Sequence, residues 1–259
     1  MGPGPLATTS DMVGESGSQA EFLDVPGSRC CNVVMSVTLG FSRASFSFLR
    51  SLAENNEKAW FEAHRQEYED HVREPFVEAL EASADATAGG PWELHGGRET
   101  MFRINRDVRF AKDKSPYKSS ASGLLTPNGD KHENSGVAYL HLEDGGGFVA
   151  CGYHQLSPTR LVSIRDRIIE DADEFTVVLD GLAERDRELS DEDSLRAMPR
   201  GYSEHAEHEH ATHLRRRSFM VSQNLTQTNW QTGDVVDRVA ALVADCAPLV
   251  AFVAGADPA

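Results

Sequence analysis

Paired cysteines are missing from this chain. Its four, Cys30, Cys31, Cys151 and Cys246, form no C-x-x-C motif. Adjacent Cys30 and Cys31 can hardly bridge each other, and the other two sit alone in apolar contexts. This is the pattern of a reducing compartment, so a cytoplasmic location is expected. There is no apolar run near the roughly 20 residues that a membrane span requires, and no basic start followed by an apolar stretch that would mark a secretory signal. No membrane partner is therefore expected. Walker loop, G-x-G-x-x-G and G-x-S-x-G motifs are also absent, which removes support from the classes that rest on them. Positive charge is scarce: 25 Lys and Arg stand against 41 Asp and Glu, for a net charge of −16. Such a chain is repelled at long range by nucleic acid, which is disfavoured as a partner.

What remains is a body able to fold. With 259 residues and 40% hydrophobic content, one large domain with a sizeable core is expected. Residues 1–40 differ from the rest. They are rich in Gly, Ser, Pro and Thr without sustained periodicity, and read as a disordered N-terminal extension. Met35, just ahead of the first amphipathic segment, is an alternative start. The domain is expected over residues 41–254.

Periodicity sketches its elements. Phe46, Leu49 and Leu52 are spaced by three, and Asn55–Asn56 breaks the run. Trp60, Phe61, His64, Tyr68, Val72, Phe76 and Leu80 then follow at spacings near four. This predicts one long amphipathic helix, or two meeting near Pro75, ended by Gly89–Gly90–Pro91. The aromatic stripe is expected to pack in the core, with His64 on it. Thr100–Ile104 is short and β-prone. Val137–Leu142 alternates, with Val137, Tyr139 and His141 on one face and Ala138, Leu140 and Leu142 on the other. A five-residue connection, Glu143–Gly147, leads to a second strand, Phe148–Tyr153, which makes a hairpin. Ser157–Pro158 opens a helix with Leu161, Ile164 and Ile168 buried and with Arg165 either reaching the sheet or exposed. Phe175, Val178 and Leu182 suggest a further helix. Ser218–Leu225 reads as a strand, and Gly233–Val253 as helix interrupted at Pro248. Helices that flank a run of strands predict an α+β domain with a mostly antiparallel central sheet.

Chemistry concentrates at residues 103–118, RINRDVRFAKDKSPYK. Six residues there are basic and two acidic. The tract is +4 and the remainder of the chain −20. Positive charge gathered in an acidic protein repels itself unless something negative answers it. Arg103, Arg106 and Arg109 are three apart, so they share a face in a helix and not in a strand. Converging guanidinium forks suit phosphate or carboxylate. Lys114 and Lys118 would supplement the charge. Asp107 would orient an arginine or act as a base, and Tyr117, after the turn at Ser115–Pro116, would pack against a ligand. The expected partner is an anionic small molecule. The alternative is an internal ion-pair network, or a patch that docks an acidic partner, with no catalysis. Phe102, Ile104, Val108 and Phe110 interleave with the charges and should anchor the segment.

The tract resembles the signature of the family called domain of unknown function 2461: Arg, two residues, Arg-Asp, one residue, Arg-Phe, then Asp-Lys, one residue, Pro-Tyr-Lys. Arg103, Arg106, Asp107, Arg109, Phe110, Asp113, Lys114, Pro116, Tyr117 and Lys118 match it. FLRSLAENNEKAWF (48–61) is similar to the family's opening helix and MPRGYSEHAE (198–207) to its Pro-Arg-Gly-Tyr element. The resemblance runs from about Phe41 to Val253. It implies that the tract matters, and it carries no reaction or cofactor with it.

Weaker features complete the survey. His205, His208, His210 and His213 fall within nine residues among Glu204, Glu207 and Glu209. They miss the H-E-x-x-H and H-x-x-E-H spacings by one residue and read as a solvated polar linker, so no metal site is assigned. Arg200, in the turn Pro199–Tyr202, either joins the basic site or only orients its loop. His141 reads as a satisfied or surface histidine, and Cys151 as buried and inert.

Overall fold

The structure, a computed structural model, describes Met1 and residues 38–109, 112–132 and 136–256. The expectations for Cys30, Cys31, Met35 and Phe110 fall outside these residues. Leu39, ahead of the expected boundary at position 41, is buried in the core together with Phe41.

Helix α1 (Arg43–Glu54) starts at a reciprocal cap: the Ser42 hydroxyl accepts from the Ala44 amide, and the Ser42 amide donates to the Ser45 hydroxyl. Two orphan backbone donors are satisfied in this way. The predicted long helix is in fact a jointed run. It comprises α2 (Lys58–Ala63), α3 (Arg65–Tyr68), a π-helical turn (Glu69–Arg73) and α4 (Glu74–Thr87). Pro75 sits in the first turn of α4, where its missing N–H costs least, and the widened turn just before it opens the ladder where a bond would be lost. The stripe packs as expected. Phe61, Tyr68, Val72, Phe76 and Leu80 are buried, and Trp60 stacks on His64 at 4.1 Å.

The sheet is antiparallel throughout, in the order β1 (Ala121–Leu125), β2 (Val137–Glu143), β3 (Gly146–Tyr153) and β4 (Phe219–Thr226). Three departures from the sequence reading have physical causes. β1 has the composition Ala-Ser-Gly-Leu-Leu, which carries no β-branched signal. Gly123 is required there, because a Cβ at that position would lie 2.7 Å from Leu80 Cδ1. The β2–β3 turn is two residues, Asp144–Gly145, instead of five, since Glu143 pairs directly with Gly146. Gly146 and Gly147 continue the strand at φ +123° and +107°, a conformation that L side chains avoid. Thr100–Ile104 makes only isolated bridges: Met101 faces Gly123, and the Phe102 amide donates to the Ser122 carbonyl.

One face of the sheet carries Leu125, Ala138, Leu140, Leu142, Val149, Cys151 and Val221, all buried. Helix α4 and helix α9 (Asp234–Ala254) cover it. α9 runs unbroken through Pro248, contrary to expectation. Its buried face, from Val235 to Val253, outweighs the roughly 3 kcal/mol that an internal proline costs. Trp230 in α8 (Gln227–Gln231) is fully buried and donates Nε1–H to the Gly146 carbonyl at 2.8 Å. Cys151 and Cys246 are remote in sequence but meet in this core through a side-chain hydrogen bond. Burial pushes the Cys151 thiol well up, so it stays protonated.

Helix α5 (Pro158–Glu170) is capped by Ser157 as predicted, and α6 (Ala172–Ala183) follows it. Arg165 is buried and reaches the approach to β4, donating to the carbonyls of Leu214 (2.7 Å) and Arg216 (3.2 Å). The histidine run is not a solvated linker. His210 is buried, with Nε2 at 3.0 Å from the Thr176 hydroxyl and 3.1 Å from the Ala172 carbonyl. Burial and the nearby Arg216 pull His213 down to about 4, so it is neutral at ordinary pH. Phe175, facing both rings from α6, gives these histidines a packing role. Among the described residues, no group of three or more His, Cys, Asp or Glu is placed to hold a metal ion. No described helix is long and apolar enough to cross a membrane.

Candidate functional site

The tract is a pinned loop and not a helix. The Arg106 amide donates to the Pro116 carbonyl (2.9 Å) and the Lys118 amide to the Ile104 carbonyl (2.8 Å), with Asn105 opposite Tyr117. Asn56, in the break after α1, bonds both backbone groups of Tyr117: its Nδ2 donates to the carbonyl and its Oδ1 accepts from the amide, each at 3.0 Å. The Tyr117 ring stacks on Phe61 at 4.1 Å. Of the two asparagines that break the helix, Asn56 therefore also locates the tract.

This extended backbone separates the three arginines. Arg109 forks onto Asp107, with Nη2 at 2.6 Å and Nε at 3.0 Å from its carboxylate. Arg106 pairs with Asp113, which also accepts from the Ser115 amide and hydroxyl. The Lys114 ammonium donates to the Val108 carbonyl. Arg109 holds Asp107 below the usual carboxylate range, and the Ser115 bonds, with Arg106, pull Asp113 down to about 2. Both acids are therefore charged at neutral pH and committed to shaping the loop. Arg103 is different. Among the described residues, no carboxylate lies within ion-pair distance of it.

Arg103 opens onto a cleft of about 550 Å3 between the tract and the α2–π-turn surface. Six cations line it: Lys58, Arg65, Arg73, Arg98, Arg103 and Lys131. Among the described residues, the acids lining it are Glu62 and Glu69, which pair with Arg65 (2.7 Å) and Arg73 (2.9 Å). Glu74 pairs with Arg98 from outside the cleft at 2.5 Å. Tyr68 and Tyr117 also line the cleft. They are only 5% and 4% exposed, and neither hydroxyl has a hydrogen-bond partner among the described residues. Burial pushes Tyr68 up to about 12, so it stays a donor, and Arg73 stands near it. Tyr117 is close enough to Arg65 to influence its charge. The two tyrosine rings are buried while their hydroxyls reach the cleft surface, so a net positive cleft also offers two neutral donors.

A second cleft, of about 650 Å3, lies on the sheet face turned away from the helices. Tyr139, Phe148 and Met220 line it from the strands, Phe102 and Lys118 from the tract, and Asp193 and Ser218 from the β4 side. The tract thus forms a wall common to both clefts.

Of the residues singled out from sequence, Arg103 and Tyr117 enter the cationic cleft and Lys118 the sheet-face cleft. Arg106, Asp107, Arg109 and Lys114 pair within the loop. Arg200 is exposed on its turn, whose Tyr202 amide donates to the Pro199 carbonyl, and it lines neither cleft. Sequence reasoning missed Lys58, Arg65 and Arg73, whose charges read as ordinary i,i+3 and i,i+4 helix pairs, and Arg98 and Lys131, which lie in turns and reach the cleft only through the tertiary fold. It also treated Tyr68 as pure core.

The family model for conserved hypothetical protein DUF2461 matches residues 44–252, and the chain belongs to that family. No curated protein and no solved structure matches it.

Proposed function

We propose that the chain binds a small, multiply charged anion, such as a phosphorylated metabolite, in the cationic cleft. The observation that carries this reading is a cleft lined by six cations and two carboxylates, into which the otherwise buried Tyr68 and Tyr117 bring hydroxyls free to donate. Arg103 would be the principal anchor, since it has no carboxylate to give up. Arg65, Arg73 and Arg98 would share their existing partners with the ligand, and charge-assisted bonds of this kind are the strong ones. The tyrosine hydroxyls would donate to ligand oxygens. The role of Asp107 and Asp113 in this scheme is to hold Arg109 and Arg106 so that the loop keeps its shape. The aromatic rings are sealed beneath the cleft, so selectivity would come from charge and size instead of base stacking.

A thermal-shift screen against phosphate, sulfate, sugar phosphates, nucleotides and dicarboxylates tests this. A ligand at about a hundred times its Kd stabilises by roughly 2.7 kcal/mol, which is easily seen. The expected result is a selective rise with a phosphorylated compound, lost in Arg103→Ala and kept in Arg109→Ala. If no anion raises the melting temperature, or Arg103→Ala keeps the full rise, the reading fails.

A further inference from the structure

The sheet-face cleft has its own chemistry, which does not depend on anion binding next door. Its floor is one face of the sheet, where the rows Ser122–His141–Phe148–Asn224 and Leu124–Tyr139–Ala150–Ser222 lie side by side. The rings of Tyr139, His141 and Phe148 pack together there, with His141 and Phe148 stacked at 5.0 Å. Lys118 is the one lysine lining this cleft. Its backbone is fixed by the bond to Ile104, and its ammonium stands 5.4 Å from the centre of the Phe102 ring.

The position of that amine is unusual. Among the described residues it has neither a carboxylate partner nor a hydrogen-bond acceptor, whereas Lys114 has the Val108 carbonyl. The acids of the cleft, Glu192 and Asp193, line the β4 side, across a sheet about 14 Å wide from the first strand to the fourth. Asp193 is already held there by Arg217 and Ser218. Burial, and then the like charge of Arg103, pull the Lys118 pKa below the ordinary lysine range. A lysine desolvated beside another cation is a nucleophilic amine. A proton donor lines the same cleft. The Tyr139 hydroxyl is 3.1 Å from His141 Nδ1, and Glu143 lies 3.8 Å from His141 Nε2. Burial raises the Tyr139 phenol, so it keeps its proton.

We propose that Lys118 forms a reversible imine with a small aldehyde or ketone seated against Tyr139 and Phe148 in the sheet-face cleft. The Nζ lone pair attacks the carbonyl carbon and makes the C–N bond, while the C=O π pair moves to oxygen. Tyr139 protonates that oxygen and recovers a proton from the attacking nitrogen through His141. The nitrogen lone pair then forms C=N and expels the hydroxyl, which leaves as water with a proton from the same relay. Amine and carbonyl give imine and water, and no oxidant or reductant is involved. The ligand class is a flat or apolar carbonyl compound, because the floor is aromatic and the polar groups lie at the edges.

The chain contains five lysines, so each molecule carries its own controls. The full-length protein is treated with benzaldehyde and cyanoborohydride in anion-poor buffer, and each lysine is followed by peptide mapping. Lys118 is expected to be alkylated about tenfold or more faster than Lys58, Lys112, Lys114 and Lys131. Tyr139→Phe should slow Lys118 about tenfold and leave the other four unchanged. Lys118→Arg should keep the melting temperature and lose the fast site. Labelling of Lys118 no faster than the other four overturns the proposal even if a variant fails to fold, because that comparison is made within the native chain. An undiminished Lys118 rate in folded Tyr139→Phe overturns the assignment of Tyr139 as proton donor.

Discussion

In the cationic cleft, charges crowd one another, most guanidiniums have carboxylates, and the rings are sealed beneath. On the sheet face the rings are open, the acids lie at the far edge, and a single amine stands without a partner. The difference comes from which side of an extended segment each residue takes. Tyr117 turns toward Phe61 and the helices, and its neighbour Lys118 turns toward Phe102 and the sheet. One pinned strand-like segment therefore supplies two environments of opposite character, one crowded with paired cations and one in which burial and a like charge lower the pKa of a single amine.

The sharpest way to break this contrast is to release the shared wall. Asn56→Ala removes both side-chain bonds to the Tyr117 backbone, and about 2 kcal/mol or more of stability should go with them. Denaturant unfolding measures the loss, and both the anion shift and fast Lys118 labelling should decline together. Unchanged stability would mean that the tract holds its place without the asparagine. Arg103→Ala comes next. It should abolish the anion response and also slow Lys118 labelling, since removing the like charge favours the ammonium. If only the first readout moves, the clefts are electrically separate. Tyr68→Phe should be smaller and confined to one side. The hydroxyl has no partner in the free fold, so the melting temperature without ligand should hold, while anion affinity measured by titration calorimetry falls about tenfold. Arg109→Ala should disturb neither cleft. Its signature is in acid: Arg109 lowers the Asp107 pKa, which adds stability above the ordinary carboxylate range and loses it as pH falls through the lowered value. In the variant, that acid-limb contribution should shrink and the Asp107 carboxyl should titrate higher by NMR, short of its ordinary range because the backbone amide of residue 109 and the Arg103 charge remain.

Much of the frame was legible because local signals agreed with tertiary packing. The alternation of Val137–Leu142 places Ala138, Leu140 and Leu142 in the core and Tyr139 and His141 on the other face, and Ser157–Pro158 starts α5. The failures lie where long-range contacts override local preference. β1 depends on a glycine that admits Leu80, and α9 passes Pro248 because its face is buried. His210 looks polar in sequence yet is capped from α6 by Thr176. The site follows the same rule. Charge density and the signature located the tract, but only pairing geometry separates Arg103 from Arg106 and Arg109. The remaining cations of the cleft come from ordinary-looking helix surface (Lys58, Arg65, Arg73) and from turns distant in sequence (Arg98, Lys131).

The way the tract is pinned also determines where the chain tolerates changes in length. Among the described residues between Asp107 and Ser115 the ties are internal, through pairs such as Arg109–Asp107 and Arg106–Asp113, so a residue gained or lost there leaves the cross-chain bonds of Arg106 and Lys118 intact. Between Tyr117 and β1 there is no such slack. Because neighbouring residues of an extended chain point to opposite sides, a single insertion after Tyr117 would turn the amine away from the sheet face and put its successor there. Natural variants that differ in length should therefore place their insertions within 107–115 and preserve the spacing from Pro116 to β1.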